Sequence, residues 1–299
     1  MCDFSEYGIP GTEWLHIQTE LSQPATGQSL DELKRITNIG REAVAREEMK
    51  TISKLVNVQD HSITTRDHYR LEARSYRPSS SDHDARLPIY IHYHGGGFLF
   101  GTLSSEDAIC SRVAVHTQVV VVNVNYRHTP EYQYPVAWND AEDSLLWVHD
   151  QASRILGGDP KKIIVGGISG GAWLAAAVVQ THHRSASSAS SIKILGQVLM
   201  IPCLVYQDCY ESVLAQLKDP KVSSYKQNEF APILPLSRVR LFNSLLKVED
   251  SNLKDRRLNP GNATPEEVQG LPPTTLGVAG SDPQRDEALL YGKLLAENG

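Results

Sequence analysis

Short apolar runs alternate with longer runs of helical spacing over most of this chain, and that alternation limits the folds open to it. The runs that predict strands are residues 88–93, 119–124, 163–165, 195–200 and 275–278. Between several of them, apolar residues recur every three or four positions, as in a helix that buries one face. The valine-rich run at 119–124 is typical of a strand covered on both sides. Strands alternating with helices predict an α/β fold with a mostly parallel sheet and flanking helices.

Two segments stand outside the alternation. Within the first 60 residues, Ser29 and Glu32 have the spacing of a capping box, and apolar residues at helical spacing follow, so we expect a helix there. Residues 203–270 contain five prolines and several helical patches, which is typical of an insertion. We therefore divide the chain into an N-terminal segment, 1–60, and a core, 61–299, with an insertion at about 203–270. A Ser/Ala tract at 185–191 predicts a solvated loop.

Charge and hydropathy exclude several classes of function. The 299 residues hold 29 Lys and Arg against 35 Asp and Glu, a net charge of −6, and no dense basic run predicts nucleic-acid binding. The longest strongly apolar run is the eight residues 172–179, whereas a membrane helix needs roughly 18 or more, so we expect no membrane span. The acidic N-terminus has no apolar signal core, and four scattered cysteines indicate a reducing compartment. These features favour a cytoplasmic location.

The strongest chemical signal is the motif Gly-Ile-Ser-Gly-Gly at residues 167–171. It follows the predicted strand at 163–165 and opens the predicted helix at 172–179. A serine between glycines at such a junction forms the sharp turn called a nucleophile elbow, which exposes its hydroxyl above the sheet. The N-terminus of the helix also favours negative charge that develops nearby. Ser169 is therefore a candidate nucleophile.

A second signal is the run His-Gly-Gly-Gly-Phe at residues 94–98, directly after the first strand of the alternation. Three glycines in succession let backbone amides approach a ligand oxygen without obstruction from side chains. Two such amides, with the amide of the residue after Ser169, would form an oxyanion hole for acyl transfer. On its own the run is also consistent with a plain flexible turn.

Together these motifs resemble the hormone-sensitive-lipase-like group of α/β-hydrolases. The segment Tyr-Arg-His-Thr-Pro-Glu at 126–131 and the segment Asp-Pro-Gln-Arg-Asp-Glu at 282–287 are similar to segments of that group. The resemblance covers about residues 85–299 and implies that the N-terminal segment is a helical cap over the active site. It also implies a serine esterase or lipase that acts on small to medium esters and requires no metal or organic cofactor.

The resemblance assigns roles residue by residue. Ser169 is the expected nucleophile and Asp282 the expected acid of the catalytic triad. The oxyanion donors are expected to be the amides of three glycines, Gly96, Gly97 and Gly170. We expect His94 to hold the glycine loop by hydrogen bonds, and Asp286 and Glu287 to be surface or helix-start carboxylates.

The expected triad lacks its base. The group supplies a histidine from a loop after the last strand, whereas the 17 residues after Asp282 contain none, so we expect the last strand–helix unit to be missing. Of the other histidines, His16 and His128 are the ones that could approach Ser169. Two explanations stay open: the chain is a shortened form of an esterase, or it does not hydrolyse esters. In the second case it would be a small-molecule binder or receptor, or a tailoring enzyme that uses the same pocket. Oligomeric state and the particular ester are not predicted.

Overall fold

A computed structural model describes residues 1–20, 27–82, 84–185 and 192–298. Its seven strands form one sheet in the order β1-β2-β4-β3-β5-β6-β7. The strands are β1 (Val56–Thr64), β2 (Arg70–Pro78), β3 (Leu87–Tyr93), β4 (Val120–Val124), β5 (Gly158–Ile168), β6 (Ile194–Met200) and β7 (Thr274–Gly277). β2 runs antiparallel to both of its neighbours, and all other pairs are parallel. The predicted α/β class with a mostly parallel sheet is confirmed.

Ten α-helices connect and flank the strands in the described residues. They are α1 (Thr12–Ile17), α2 (Leu30–Ile52), α3 (Asp107–Thr117), α4 (Val136–Gln151), α5 (Gly170–Ser185), α6 (Glu211–Leu214), α7 (Ser224–Gln227), α8 (Leu236–Leu246), α9 (Pro265–Val268) and α10 (Arg285–Asn298). Helices α4, α5 and α10 contribute to the largest apolar core, on one face of the sheet. Helix α3 packs on the other face, and α2 lies against α3. None of the described helices is both long and apolar enough to cross a membrane.

Local sequence explains where several elements begin. All five residues of β4 are buried, as the valine run predicts. The hydroxyl of Ser29 accepts a hydrogen bond from the amide of Glu32 and caps α2, but the Glu32 carboxylate pairs with Arg35, so only half of that capping box forms. Thr264 and Glu267 form both halves of a capping box at α9.

The predicted segments map onto the structure as follows. Residues 1–60 contain α1, α2 and the start of β1, so the boundary drawn at residue 60 falls inside a strand of the sheet. Residues 203–270 lie between β6 and β7 and contain the short helices α6, α7 and α9 together with α8. The tract predicted to be a solvated loop falls, from residue 186 to 191, outside the described residues. The division into cap, core and insertion stays a prediction.

Candidate active site

Ser169 lies at a sharp turn between β5, which ends at Ile168, and α5, which begins at Gly170. Its φ of 54° lies in the left-handed region, where side chains other than glycine are uncommon. The glycines beside it have no room for a side chain. A Cβ on Gly167 would lie 2.4 Å from the Gly171 backbone, and one on Gly171 would lie 2.0 Å from the Tyr93 carbonyl oxygen. The motif is therefore a strained elbow that only small neighbours permit.

The glycine loop follows β3, the strand that pairs with β5, so the loop and Ser169 lie at the same edge of the sheet. Gly96 and Gly97 have φ of 135° and 60°. A Cβ on Gly96 would lie 2.2 Å from the Phe100 carbonyl oxygen, and one on Gly97 would lie 2.2 Å from the Phe242 ring. Among the described residues, the amides of Gly96, Gly97 and Gly170 donate no hydrogen bond to other protein groups. Three unpaired amides are thus available to an oxygen atom of a ligand.

His94 is buried beneath this loop. Its Nδ1 donates to the Gly95 carbonyl oxygen at 3.0 Å, and its ring stacks on Tyr126 with a centroid distance of 4.4 Å. The Tyr126 hydroxyl in turn donates to the His94 carbonyl oxygen at 2.8 Å. Burial lowers the pKa of His94 to about 4, so the ring is neutral at pH 7. These contacts agree with the expected role of His94 in holding the loop.

The expected acid, Asp282, lies between β7 and α10. Its Oδ1 accepts a hydrogen bond from the Gln284 amide at 2.8 Å. Burial raises the pKa of Asp282, although that hydrogen bond and the charge of Arg285 oppose the shift. The side chain of Gln284 lies near the serine site, where its Oε1 accepts a hydrogen bond from the Cys203 thiol at 3.1 Å.

Cys203 is a site residue that sequence reasoning missed. Its Sγ lies 3.8 Å from Ser169 Oγ, and burial raises the pKa of the thiol. From the sequence, the cysteines indicated only a reducing compartment, and Cys203 had no predicted role at the site. A positional signal was present, since Cys203 follows β6 by three residues and the carboxyl ends of parallel strands meet at one edge of a sheet.

Two carboxylates were expected on the surface or at a helix start, and the structure shows the second alternative. Asp286 and Glu287 do begin α10, but both are about 1% exposed rather than on the surface. Glu287 Oε1 accepts hydrogen bonds from the amides of Leu204 and Val205, and burial raises the pKa of this carboxyl well above its usual range. Glu287 therefore fixes the start of α10 against the loop that carries Cys203, and Asp286 Oδ2 accepts a hydrogen bond from the Ser224 amide at the start of α7.

No described histidine contacts either Ser169 Oγ or the Asp282 carboxylate. His128, one of the two candidate bases, lies under the glycine loop with its ring 5.1 Å from that of His94. Burial lowers the pKa of His128 well below its usual range. His16 is exposed on α1. Within the described residues, no group of three or more His, Cys, Asp or Glu side chains is arranged to hold a metal ion.

A cavity of about 20 Å³ opens beside Ser169. It is lined by residues from the glycine loop, α5, the loop after β6, α8 with the residues just before it, and the turn before α10: Gly97, Phe98, Trp173, Cys203, Leu234, Val239, Phe242, Asn243, Leu246 and Gln284. Most of these side chains are apolar. A space of this size accommodates about one water molecule or methyl group.

Comparison with known proteins agrees with this geometry. Esterase LipI of Mycobacterium tuberculosis is 33% identical over 227 residues, which cover 76% of this chain and 65% of LipI. Carboxylesterase NlhH of the same species is 35% identical over 218 residues, 71% of this chain and 62% of NlhH. The chain thus spans slightly less than two thirds of the length of these relatives.

The structure of an esterase from Pyrobaculum calidifontis is also similar, with 28% sequence identity and a TM-score of 0.78 over 97% of this chain and 86% of that one. The family model of the alpha/beta hydrolase fold matches residues 90–299. The resemblance to hormone-sensitive-lipase-like esterases is confirmed, and the chain belongs to the alpha/beta hydrolase fold family.

Proposed function

We propose that the protein hydrolyses carboxylic esters through a covalent acyl-serine intermediate. One observation carries this proposal: a serine on a strained elbow shares an edge of the sheet with three unpaired glycine amides. Ser169 Oγ attacks the ester carbonyl carbon, and the carbonyl electron pair moves onto oxygen. The amides of Gly96, Gly97 and Gly170 stabilise that oxyanion. When the carbonyl re-forms, the alcohol leaves with a proton, and water then releases the acid from Ser169.

The reaction needs a base that takes the proton from Ser169 and an acid that orients the base. We assign the second role to Asp282. Its ionised form orients and stabilises a protonated histidine. Because the pKa of Asp282 is raised, activity should be lost on acidification at a higher pH than for an ordinary aspartate. No described histidine fills the first role, so the experiment tests the chain as it stands and, separately, any longer product of its reading frame.

Hydrolysis of p-nitrophenyl acetate by both forms, each compared with its Ser169→Ala variant, tests the proposal. The expected result is Ser169-dependent hydrolysis in at least one form, with a loss on the order of a million-fold in kcat in the variant. A fluorophosphonate probe should label the same form at Ser169, because labelling requires an activated serine. Rates equal to the alanine background in both forms would disprove ester hydrolysis.

The cavity beside Ser169 supports a preference for small acyl groups. The cavity has room for about an acetyl methyl, and we expect longer acyl chains to require movement of lining side chains. Phe242 is the side chain to move, since its ring lies against Gly97 and packs on Phe100 at a centroid distance of 5.7 Å. We expect Phe242→Ala to raise the ratio of hexanoate to acetate turnover about tenfold. An unchanged ratio would contradict this assignment of the acyl pocket.

A second candidate is a small-molecule binder that uses the same pocket without hydrolysis. One observation favours it: Ser169 Oγ contacts the Cys203 thiol and no described histidine. A binder would show ligand-dependent thermal stabilisation in the Ser169→Ala variant and no phosphonate labelling in the parent. The cytoplasmic location and the absence of nucleic-acid partners stay predictions from sequence.

A further inference from the structure

Helix α2 contacts the glycine loop, which comprises residues 94–102 after β3, through polar side chains. Asn38 Oδ1 accepts a hydrogen bond from the Gly101 amide at 2.9 Å. Arg41 Nη1 donates to the Gly95 carbonyl oxygen at 3.0 Å, and Glu42 Oε1 accepts from the Thr102 hydroxyl at 2.7 Å. These side chains stand at spacings of three and four and therefore share one face of the helix. The N-terminal segment thus contacts both ends of the loop.

Arg41 is itself fixed by a second contact. Its Nη2 pairs with Glu106 Oε1 at 2.7 Å, and Glu106 Oε2 lies 3.1 Å from His92 Nε2. Burial alone would raise the pKa of Glu106. The hydrogen bond from His92 and the electrostatic interactions with His92, His94 and Arg41 outweigh burial and lower this pKa to about 2. The carboxylate is therefore ionised at neutral pH and anchors the guanidinium beside the loop.

The hydrogen bond from Arg41 to the Gly95 carbonyl affects the Gly96 amide, a proposed oxyanion donor. The Gly95 carbonyl and the Gly96 amide belong to the same planar peptide unit, in which the two groups point in opposite directions. Fixing the carbonyl oxygen on one side therefore aims the Gly96 N–H on the other. That oxygen accepts two hydrogen bonds, from Arg41 Nη1 and from His94 Nδ1, each at 3.0 Å. Hydrogen bonds to a carbonyl also polarise its peptide unit and strengthen the N–H as a donor.

We propose that Arg41 is a positioning residue for the oxyanion hole. It aims and polarises the Gly96 amide through the Gly95 carbonyl, and Asn38 and Glu42 hold the far end of the same loop. The catalytic part of this inference rests on the proposed ester hydrolysis. The structural part, that Arg41 orders the loop, does not depend on any activity and is measured separately.

The test compares Arg41→Ala and Arg41→Lys with Arg35→Ala, a matched control. Arg35 is on the exposed side of the same helix and pairs with Glu32 at 2.8 Å. On p-nitrophenyl acetate, in the form that cleaves it, Arg41→Ala should lower kcat at least tenfold and change KM less than twofold, because a misaimed donor weakens only the transition state. Arg41→Lys should recover part of the loss, and Arg35→Ala should stay within twofold of the parent.

Amide hydrogen exchange of a peptide spanning residues 95–102 supplies the second readout. The amides of Leu99 and Phe100 bond to Gly96 O, and that of Gly101 bonds to Asn38, so their exchange reports the order of the loop. We expect faster exchange in Arg41→Ala and parent-like exchange in Arg35→Ala. Unchanged exchange in Arg41→Ala would overturn the proposal, as would a rise in KM with unchanged kcat. If no form cleaves esters, the proposed function fails, whereas faster loop exchange would still support Arg41 as the residue that orders the loop.

Discussion

The two sides of Ser169 differ in how firmly they are held. On the side of the glycine loop, the Gly95 carbonyl accepts two hydrogen bonds, and the Phe98 carbonyl accepts two more from Thr129, at 2.8 and 3.1 Å. On the side of Asp282, the serine hydroxyl meets a thiol at 3.8 Å, and the carboxylate accepts one backbone hydrogen bond. The described residues thus hold the proposed oxyanion donors more firmly than the groups proposed to take part in proton transfer.

The two sides also differ in the charge state that burial favours. The loop side contains His94, whose pKa burial lowers to about 4 and which is therefore neutral at pH 7. The acid side contains Asp282 and Glu287, and burial raises the pKa of both carboxyls. Acid should therefore destabilise the loop side and alkali the acid side. Three predictions test this difference.

The largest effect is expected for Gly96→Ala, on the loop side. The new methyl group would lie 2.2 Å from the Phe100 carbonyl oxygen at a φ of 135°, where L side chains are strained. We expect the free energy of unfolding to fall by about 3–5 kcal/mol, from overpacking and backbone strain together. Urea denaturation of the variant and the parent measures this loss in the free energy of unfolding. The control is Gly40→Ala within α2, where a Cβ meets nothing within 4 Å and helix propensity should add about 1 kcal/mol of stability. Equal stability of the two variants would contradict the tight loop.

The second prediction concerns acid. A buried histidine with a lowered pKa contributes stability that is fully present above the unfolded pKa of about 6.5 and is lost as pH falls toward 4. For His94 the loss is about 3 kcal/mol, measured as the free energy of unfolding between pH 7 and pH 4. His94→Gln should flatten this part of the profile, whereas His16→Gln, at an exposed position, should not change it. If the free energy of unfolding of His94→Gln still falls steeply between pH 7 and pH 4, other groups cause the loss.

The smallest effect is expected for Glu287→Gln, on the acid side. A carboxyl with a raised pKa contributes stability that is present below its unfolded pKa of about 4.5 and is lost as pH rises through the folded value. Glutamine still accepts from the Leu204 and Val205 amides but cannot ionise. The variant should match the parent near pH 4 and have a higher free energy of unfolding than the parent at pH 8. Lower stability of the variant at pH 8 would show that the ionised carboxylate is favourable.

The features that short segments determine were predicted best. The strand order along the chain, the elbow at Ser169 and the glycine loop after β3 each depend on residues within a few positions of one another. A strand–glycine–helix pattern leaves the backbone few alternatives, so the motif and its geometry appear together.

The residues that were missed depend on contacts between distant parts of the chain. Helical spacing shows that α2 has a buried face, but it does not show that Arg41 meets Gly95, 54 positions later. The first turn of α10 favours carboxylates in any sequence, which concealed that Glu287 binds amides 82 and 83 positions earlier. Cys203 reaches Ser169 only because β5 and β6 pair in parallel.

The contacts of α2 also bear on how such a chain can change during evolution. If an N-terminal segment made no contact with the glycine loop, recombination could replace it. The substrate range would then change while the catalytic groups stayed the same. Here the same exchange would remove Arg41 and Asn38, and with them two hydrogen-bond partners of the glycine loop. Any replacement would have to bring its own partners for that loop, so the N-terminal helix and the glycine loop are expected to be inherited as a unit.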